Sequence, residues 1–201
     1  MNKFDEALEC LKDGKVIIYP SESCYSFGCD AKNKEAVERV HEIKKESNKS
    51  LILNVFDSNQ ADEFGVMNDV AKSLFEEFKG RALTLIIDRK DTYDYLSEEG
   101  IAVRVLSNKI ANNLVKEFGS AIITTSVNIH GEKPLYDLSS VVGQFGDKVD
   151  CIIDSGDLDE NVSVSTLFDT RTMKILREGA VSKAEIETFL SDKEDKFLTR
   201  D

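Results

Sequence analysis

Hydroxyl, amide and cationic side chains gather in a few short stretches of this chain, each at the end of an apolar run. The stretch Pro20-Ser21-Glu22-Ser23-Cys24-Tyr25-Ser26-Phe27-Gly28 follows the apolar residues 16–19 and supplies several small donors and acceptors. A small-molecule site at a sheet edge needs such groups, and plain turns use them too. The stretch Thr124-Thr125-Ser126-Val127-Asn128-Ile129-His130-Gly131 ends another apolar run, points Ser126 and Asn128 the same way, and allows a tight turn at Gly131. Either it meets a ligand or its side chains satisfy their own backbone. Arg104 interrupts Ile101-Ala102-Val103-Arg104-Val105. A buried guanidinium there calls for an anion, whereas an exposed one is only the outer residue of an alternating strand. Arg177, after Leu176 and before Gly179, poses the same choice.

Residues 32–49 hold six basic side chains, Lys32, Lys34, Arg39, Lys44, Lys45 and Lys49, against four glutamates. They read as a solvated helix face laced with pairs such as Glu35 with Arg39, or as a polyphosphate contact at the helix end. No G-x-x-x-x-G-K-[ST] and no G-x-G-x-x-G occurs, and His130 reads as a turn residue without triad partners. Cys10, Cys24, Cys29 and Cys151 are scattered with no C-x-x-C pair, which argues against a structural zinc site. Over 201 residues, 26 basic against 38 acidic side chains leave a net charge of −12, which argues against tight sequence-independent nucleic-acid binding, so any contact with RNA is expected to be weak or transient. No apolar run reaches the ~20 residues of a membrane span, and Asp5, Glu6 and Glu9 break up any leader. A cytoplasmic protein with no membrane contact is expected.

The elements that must position these groups alternate. Phe4, Ala7, Leu8 and Leu11 outline a helix stopped by Gly14, and residues 16–19 form a strand ended by Pro20, with 20–30 as a polar connection. A helix over 33–45, a strand over 51–55, a helix through Val70, Leu74, Phe75 and Phe78, and strands over 82–88 and 101–105 follow. A helix through Ile110, Leu114, Val115 and Phe118 then leads to a strand over 121–125. Short strands over 151–153, 164–169 and 173–176 precede a helix opened by the capping box of Ser182 and Glu185. One α/β domain with a mixed sheet results, spanning residues 1–190, and residues 191–201 form a charged, fraying tail.

Taken in order, the pieces resemble the YrdC family, the threonylcarbamoyl-AMP synthases, over about residues 5–190. That pattern runs P-T-[DE]-T-x-Y-G-L-G, K-x-R on a helix end, x-V-R-V-P, S-x-N-x-S-G, S-T-V-x-D and L-R-x-G. Its counterparts here are residues 20–28, Lys44-Lys45-Glu46, Val103-Arg104-Val105-Leu106, residues 126–131, Ser165-Thr166-Leu167-Phe168-Asp169 and Leu176-Arg177-Glu178-Gly179. The resemblance implies a twisted mixed sheet flanked by helices around a large cavity. It also implies a reaction joining L-threonine, bicarbonate and ATP, with Mg2+, into threonylcarbamoyl-AMP and pyrophosphate. A downstream threonylcarbamoyl transferase assembly then modifies adenosine 37 of tRNA. By the same resemblance Ser21, Arg104, Thr124 and Ser165 hold threonine, and Lys44, Asn48, Ser126, Asn128 and Arg177 hold ATP. No protein nucleophile and no protein metal ligand is implied.

The chain departs from that pattern at informative places. Glu46 stands at the arginine, His130 at a serine, Leu106 at a proline and Ser26 at a glycine, while Ser21 and Ser23 keep the hydroxyls of threonines. An anion at position 46 within ~4–6 Å of a polyphosphate opposes ATP by several kcal/mol unless Lys45 or Lys49 compensates. Two other readings follow: a catalytically altered paralogue that binds nucleotide or structured RNA, and a carbamoyltransferase module of the hydrogenase-maturation type.

Overall fold

The computed structural model describes residues 2–22, 24–46 and 51–198. Helix α1 (Lys3–Lys12) leads into strand β1 (Ile17–Pro20) and its hairpin partner β2 (Tyr25–Gly28), followed by α2 (Lys34–Lys44) and β3 (Ile52–Asn54). Then come α3 (Ser58–Phe64), β4 (Gly65–Val66), α4 (Asp69–Glu77), β5 (Leu83–Arg89), β6 (Gly100–Arg104), α5 (Lys109–Phe118) and β7 (Ile122–Ser126). The chain closes with α6 (Leu138–Phe145), β8 (Cys151–Ile152), β9 (Thr166–Asp169), β10 (Lys174–Arg177) and α7 (Lys183–Leu198). Short polar side chains start the helices: Asn2, Asn33, Asp57, Asn68, Asn108 and Asp137 each accept a hydrogen bond from a first-turn amide that has no partner inside its helix.

Ten strands form one mixed sheet in the order β10-β9-β5-β6-β3-β7-β2-β1-β8, with β4 added to β5. The pairs β1–β8, β3–β6 and β5–β9 are parallel and the others antiparallel. Because successive side chains alternate, each strand is divided between two environments. Val16, Ile18, Phe27, Leu53, Leu85, Val103, Ile123 and Phe168 enter one large apolar cluster with α2, α3 and α4. On the opposite face Ile17, Tyr19 and Ile122 pack under α1 and α5. Farther along that second face the outward positions are Thr84, Asn54, Arg104 and Thr124, all buried. A polar strip in an otherwise apolar interior is therefore built by alternation alone.

Several expectations change. Residues 25–28 are a strand rather than part of a polar connection, registered Pro20↔Tyr25 to Ile17↔Gly28, because Tyr25 and Phe27 supply alternating apolar side chains to the core. Pro20 does end β1, but at a tight turn in which Ser21 N–H donates to Cys24 O at 3.0 Å. Helices α3 and α6 were not anticipated. Their signals are the caps Asp57 and Asp137 and, in α6, the inward pair Val141 and Phe145. Helix α7 opens with the expected box, Ser182 N–H donating to Glu185 at 3.0 Å and Glu185 N–H to Ser182 Oγ at 3.3 Å, and runs to Leu198. Arg39 pairs with Asp150 at 2.6 Å, not with Glu35.

Candidate active site

Two polar groups lie near strand β7, one on the second sheet face and one where the end of α2 meets the loop after β7. The first centres on Arg104, the last residue of β6, which is 8% exposed. Burial pulls its pKa down to about 10, the nearby Tyr19 opposes that shift, and the Arg177 guanidinium adds to it. Arg104 forms an ion pair with Glu22, whose carboxylate also accepts the Ser107 backbone N–H. Its Nε has no hydrogen-bond partner among the described residues. Beside it, Thr84 Oγ1 donates to Ser165 Oγ at 2.9 Å, and Arg177 donates from Nε to Ser165 O at 3.0 Å and from Nη2 to Ser165 Oγ at 3.1 Å. Two guanidinium groups so placed favour an anion, since each raises the electrostatic cost of the other's charge.

Glycine makes that closeness possible. A Cβ on Gly179 would lie 2.2 Å from Val164 O, so the chain after β10 can press against the start of β9 only with no side chain there. Gly179 N–H then donates to Thr166 Oγ1 at 2.8 Å, and Arg177 is held over Ser165. Asp169, the last residue of the same motif, works structurally: it takes Arg171 Nε and Nη2 at 2.9 and 2.8 Å, and that side-chain bonding holds its pKa below the usual carboxylate range.

The second group centres on Lys44 at the end of α2. Its Nζ donates to Ser126 O at 2.7 Å, to Asn128 Oδ1 at 3.1 Å and to Asn128 O at 3.4 Å. Burial lowers its pKa, opposed by the charge of Glu46. Ser126 Oγ donates to the same Asn128 Oδ1 at 2.6 Å. The amide cannot turn over, because Asn128 Nδ2 is held by Ile129 O at 2.9 Å and Glu132 O at 3.0 Å. His130 N–H donates to Lys44 O at 2.9 Å, tying the loop after β7 to the end of α2.

Strand β7 joins the two groups. Thr124 and Ser126 are two residues apart and share a face, with Thr124 beside Arg104's strip and Ser126 beside Lys44. Tyr19, fully buried, donates to Ile123 O at 3.2 Å and shares a hydrogen bond with Thr124 Oγ1; burial pushes its phenol pKa well up, so it stays neutral. Ser21 lies at the hairpin turn next to Glu22, its hydroxyl donating to Cys24 O at 2.6 Å. The fold thus brings Ser21, Arg104, Thr124, Ser165 and Arg177 together, and Lys44, Ser126 and Asn128 together. Arg177, grouped with the ATP side in the sequence, bonds Ser165 on the other side. Asn48 lies outside the described residues.

The departures acquire local reasons. Glu46 is mostly buried and pairs with His130 Nδ1 at 3.2 Å, so two deviations from the pattern answer each other. Leu106 N–H donates to Asn54 Oδ1 at 3.3 Å, a bond that a proline could not make. Ser26 lies in ordinary extended backbone, where its position asks nothing of glycine. Sequence reasoning missed Tyr19, Glu22, Asn54 and Thr84 as members of the site. The available signal was a polar or ionisable residue in or beside a strand whose alternate neighbours are core.

The domain is thus a mixed α/β fold with a buried arginine, Arg104, and the exposed Arg177 at one end of a polar strip and a buried lysine, Lys44, at the other. The chain belongs to the Sua5/YciO/YrdC family, whose model, described as "Telomere recombination", matches residues 9–179. It is 30% identical over 178 residues to the threonylcarbamoyl-AMP synthase of Pseudoalteromonas translucida, covering 85% of this chain and 95% of that one. It superposes on P. abyssi Sua5 complexed with L-threonine at a TM-score of 0.83 and 26% identity, covering 93% of this chain and 57% of that one, so it spans a little over half of that longer protein. E. coli YciO matches at a TM-score of 0.76 and 25% identity over 91% of both chains.

Proposed function

We propose that this protein is a threonylcarbamoyl-AMP synthase, forming threonylcarbamoyl-adenylate and pyrophosphate from L-threonine, bicarbonate and ATP. The observation that carries the reading is the shared face of β7, where Thr124 adjoins the Arg104 group and Ser126 adjoins Lys44, so that two anionic substrates can meet across one strand. Arg104, with Ser21, Thr124 and Ser165, takes threonine. Lys44, Ser126, Asn128 and Arg177, with Asn48, take ATP. The threonine amine adds to bicarbonate with loss of water, and a carbamate oxygen attacks the α-phosphorus, which expels pyrophosphate. Positioning and charge neutralisation supply the acceleration, and no step asks for a protein nucleophile. Mg2+ would accompany the triphosphate, whose oxygens it takes as ligands. The names carried by the relatives support the same reading. Service to a tRNA-modifying transferase, in the cytoplasm, belongs to it as well; among the described residues no helix is long and apolar enough to cross a membrane.

Glu46 favours a second reading, a paralogue that keeps the ligands but has lost the chemistry. One assay separates them. Purified protein with ATP, bicarbonate and Mg2+ should release pyrophosphate only when L-threonine is added. Nucleotide binding without threonine-dependent pyrophosphate would instead establish the altered paralogue.

A further inference from the structure

We propose that Glu22 receives the ammonium group of the amino-acid substrate while Arg104 takes its carboxylate, so that this carboxylate, rather than the hydroxyls around it, selects for an α-amino acid. The assignment rests on the proposed function and deepens it.

Glu22 is fixed in place. It lies in the hairpin turn after Ser21, its side chain is 9% exposed, it contacts Arg104 Nη2, and the Ser107 N–H anchors its other oxygen. A glutamate that served only as a counter-ion would be expected to satisfy the guanidinium, yet Arg104 Nε stays buried without a partner. The edge that bears Nε also includes Nη2, the nitrogen that meets Glu22, but Nη2 carries two hydrogens, so a carboxylate that bonds Nε and one of them can leave Glu22 the other. Glu22 and the incoming carboxylate would then both lie against the Arg104 guanidinium. Around that point Arg104 and Arg177 bring two positive charges and Glu22 brings one negative charge. A simple carboxylic acid arriving there would face Glu22 as a like charge, whereas a zwitterion puts its ammonium between the two carboxylates. The nearby side-chain groups Ser21, Thr124 and Ser165 are hydroxyls, which carry no charge to do this.

The test compares L-threonine with 2,3-dihydroxybutanoate of matching stereochemistry, in which a hydroxyl replaces the amine, by calorimetric titration of the full chain and of Glu22→Gln. The wild type should bind threonine at least ~30-fold more tightly, and Glu22→Gln should weaken threonine by about 10–100-fold while leaving the dihydroxy acid unchanged or tighter. Retained binding of the dihydroxy acid also reports that the variant is folded, and Glu22→Asp, which keeps the charge, should keep the preference. Equal weakening of both ligands would overturn the assignment in favour of a strut for Arg104. Equal tightening would overturn it in favour of a plug. If the folded wild type bound neither ligand, the threonine side of the proposed function itself would fall; threonine binding that ignores the Glu22 substitution fells this assignment alone.

Discussion

Glu46 and His130 replace a cation and a hydroxyl beside the lysine assigned to the triphosphate, and each is the other's partner at 3.2 Å. The pair removes some positive potential from the site without leaving a buried charge alone. Replacing Glu46 by arginine should tighten ATP on the order of tenfold, because an anion near Lys44 is exchanged for a cation, and should lower stability, since a mostly buried glutamate gives way to a second cation beside Lys44. Calorimetric titration with ATP checks this. Unchanged affinity would mean that position 46 lies outside the reach of the phosphates. The residue types at Lys44, Ser126 and Asn128 were legible as chemistry from the sequence, and so was the anomaly at Glu46. Its partner was not, because residues 46 and 130 are joined only by the contact between the end of α2 and the loop after β7.

At the scale of elements, the end of α2 and the start of α7 carry separate consequences. Helix α2 ends on Lys45 in the left-handed region, φ 52°, where a side chain is unfavourable by roughly 1 kcal/mol and glycine is the usual occupant. Lys45→Gly should therefore raise stability by about 0.5–1 kcal/mol, read as a shift in urea midpoint with unchanged slope. Helix α7 depends on Glu185, whose pKa is drawn down to about 2 from 4.5, first by Arg81 and then by the Ser182 backbone. A carboxylate depressed in the folded state adds stability that is complete above its unfolded value and lost as pH falls through the folded one. Stability should thus decline between pH about 4.5 and about 2 partly through this group, and Glu185→Gln should flatten that part of a urea-midpoint profile. The Ser182 box was readable because capping is local. Arg81 was not, since it reaches Glu185 from more than a hundred positions away in sequence.

The whole molecule carries a net charge of −12, against which its cationic site is a small and local exception. Within the basic stretch, Lys32, Lys34 and Arg39 are each paired with a carboxylate, while Lys44 bonds Ser126 and Asn128 of the site. At about 0.15 M salt the protein should not retard tRNA in a native gel, since few phosphates can be neutralised at once. A stable complex that weakens steeply with salt would reveal a basic surface this charge distribution does not contain.

Apolar periodicity, caps and glycines are properties of neighbours in the chain, and they alone determined the alternating α/β plan, the helix over 33–45, the strands over 101–105 and 121–125 and the motif residues proposed to carry the chemistry. Whether Arg104 faces water or an anion, which carboxylate meets it, and why Arg177 bonds Ser165 instead of joining Lys44 were decided only by pairing strands distant in sequence, β9 beside β5 and β3 between β6 and β7. Register sets which face a side chain occupies, and burial sets what its charge requires. Both arise when segments far apart in sequence come within a few ångströms, and neither is written in any one of them.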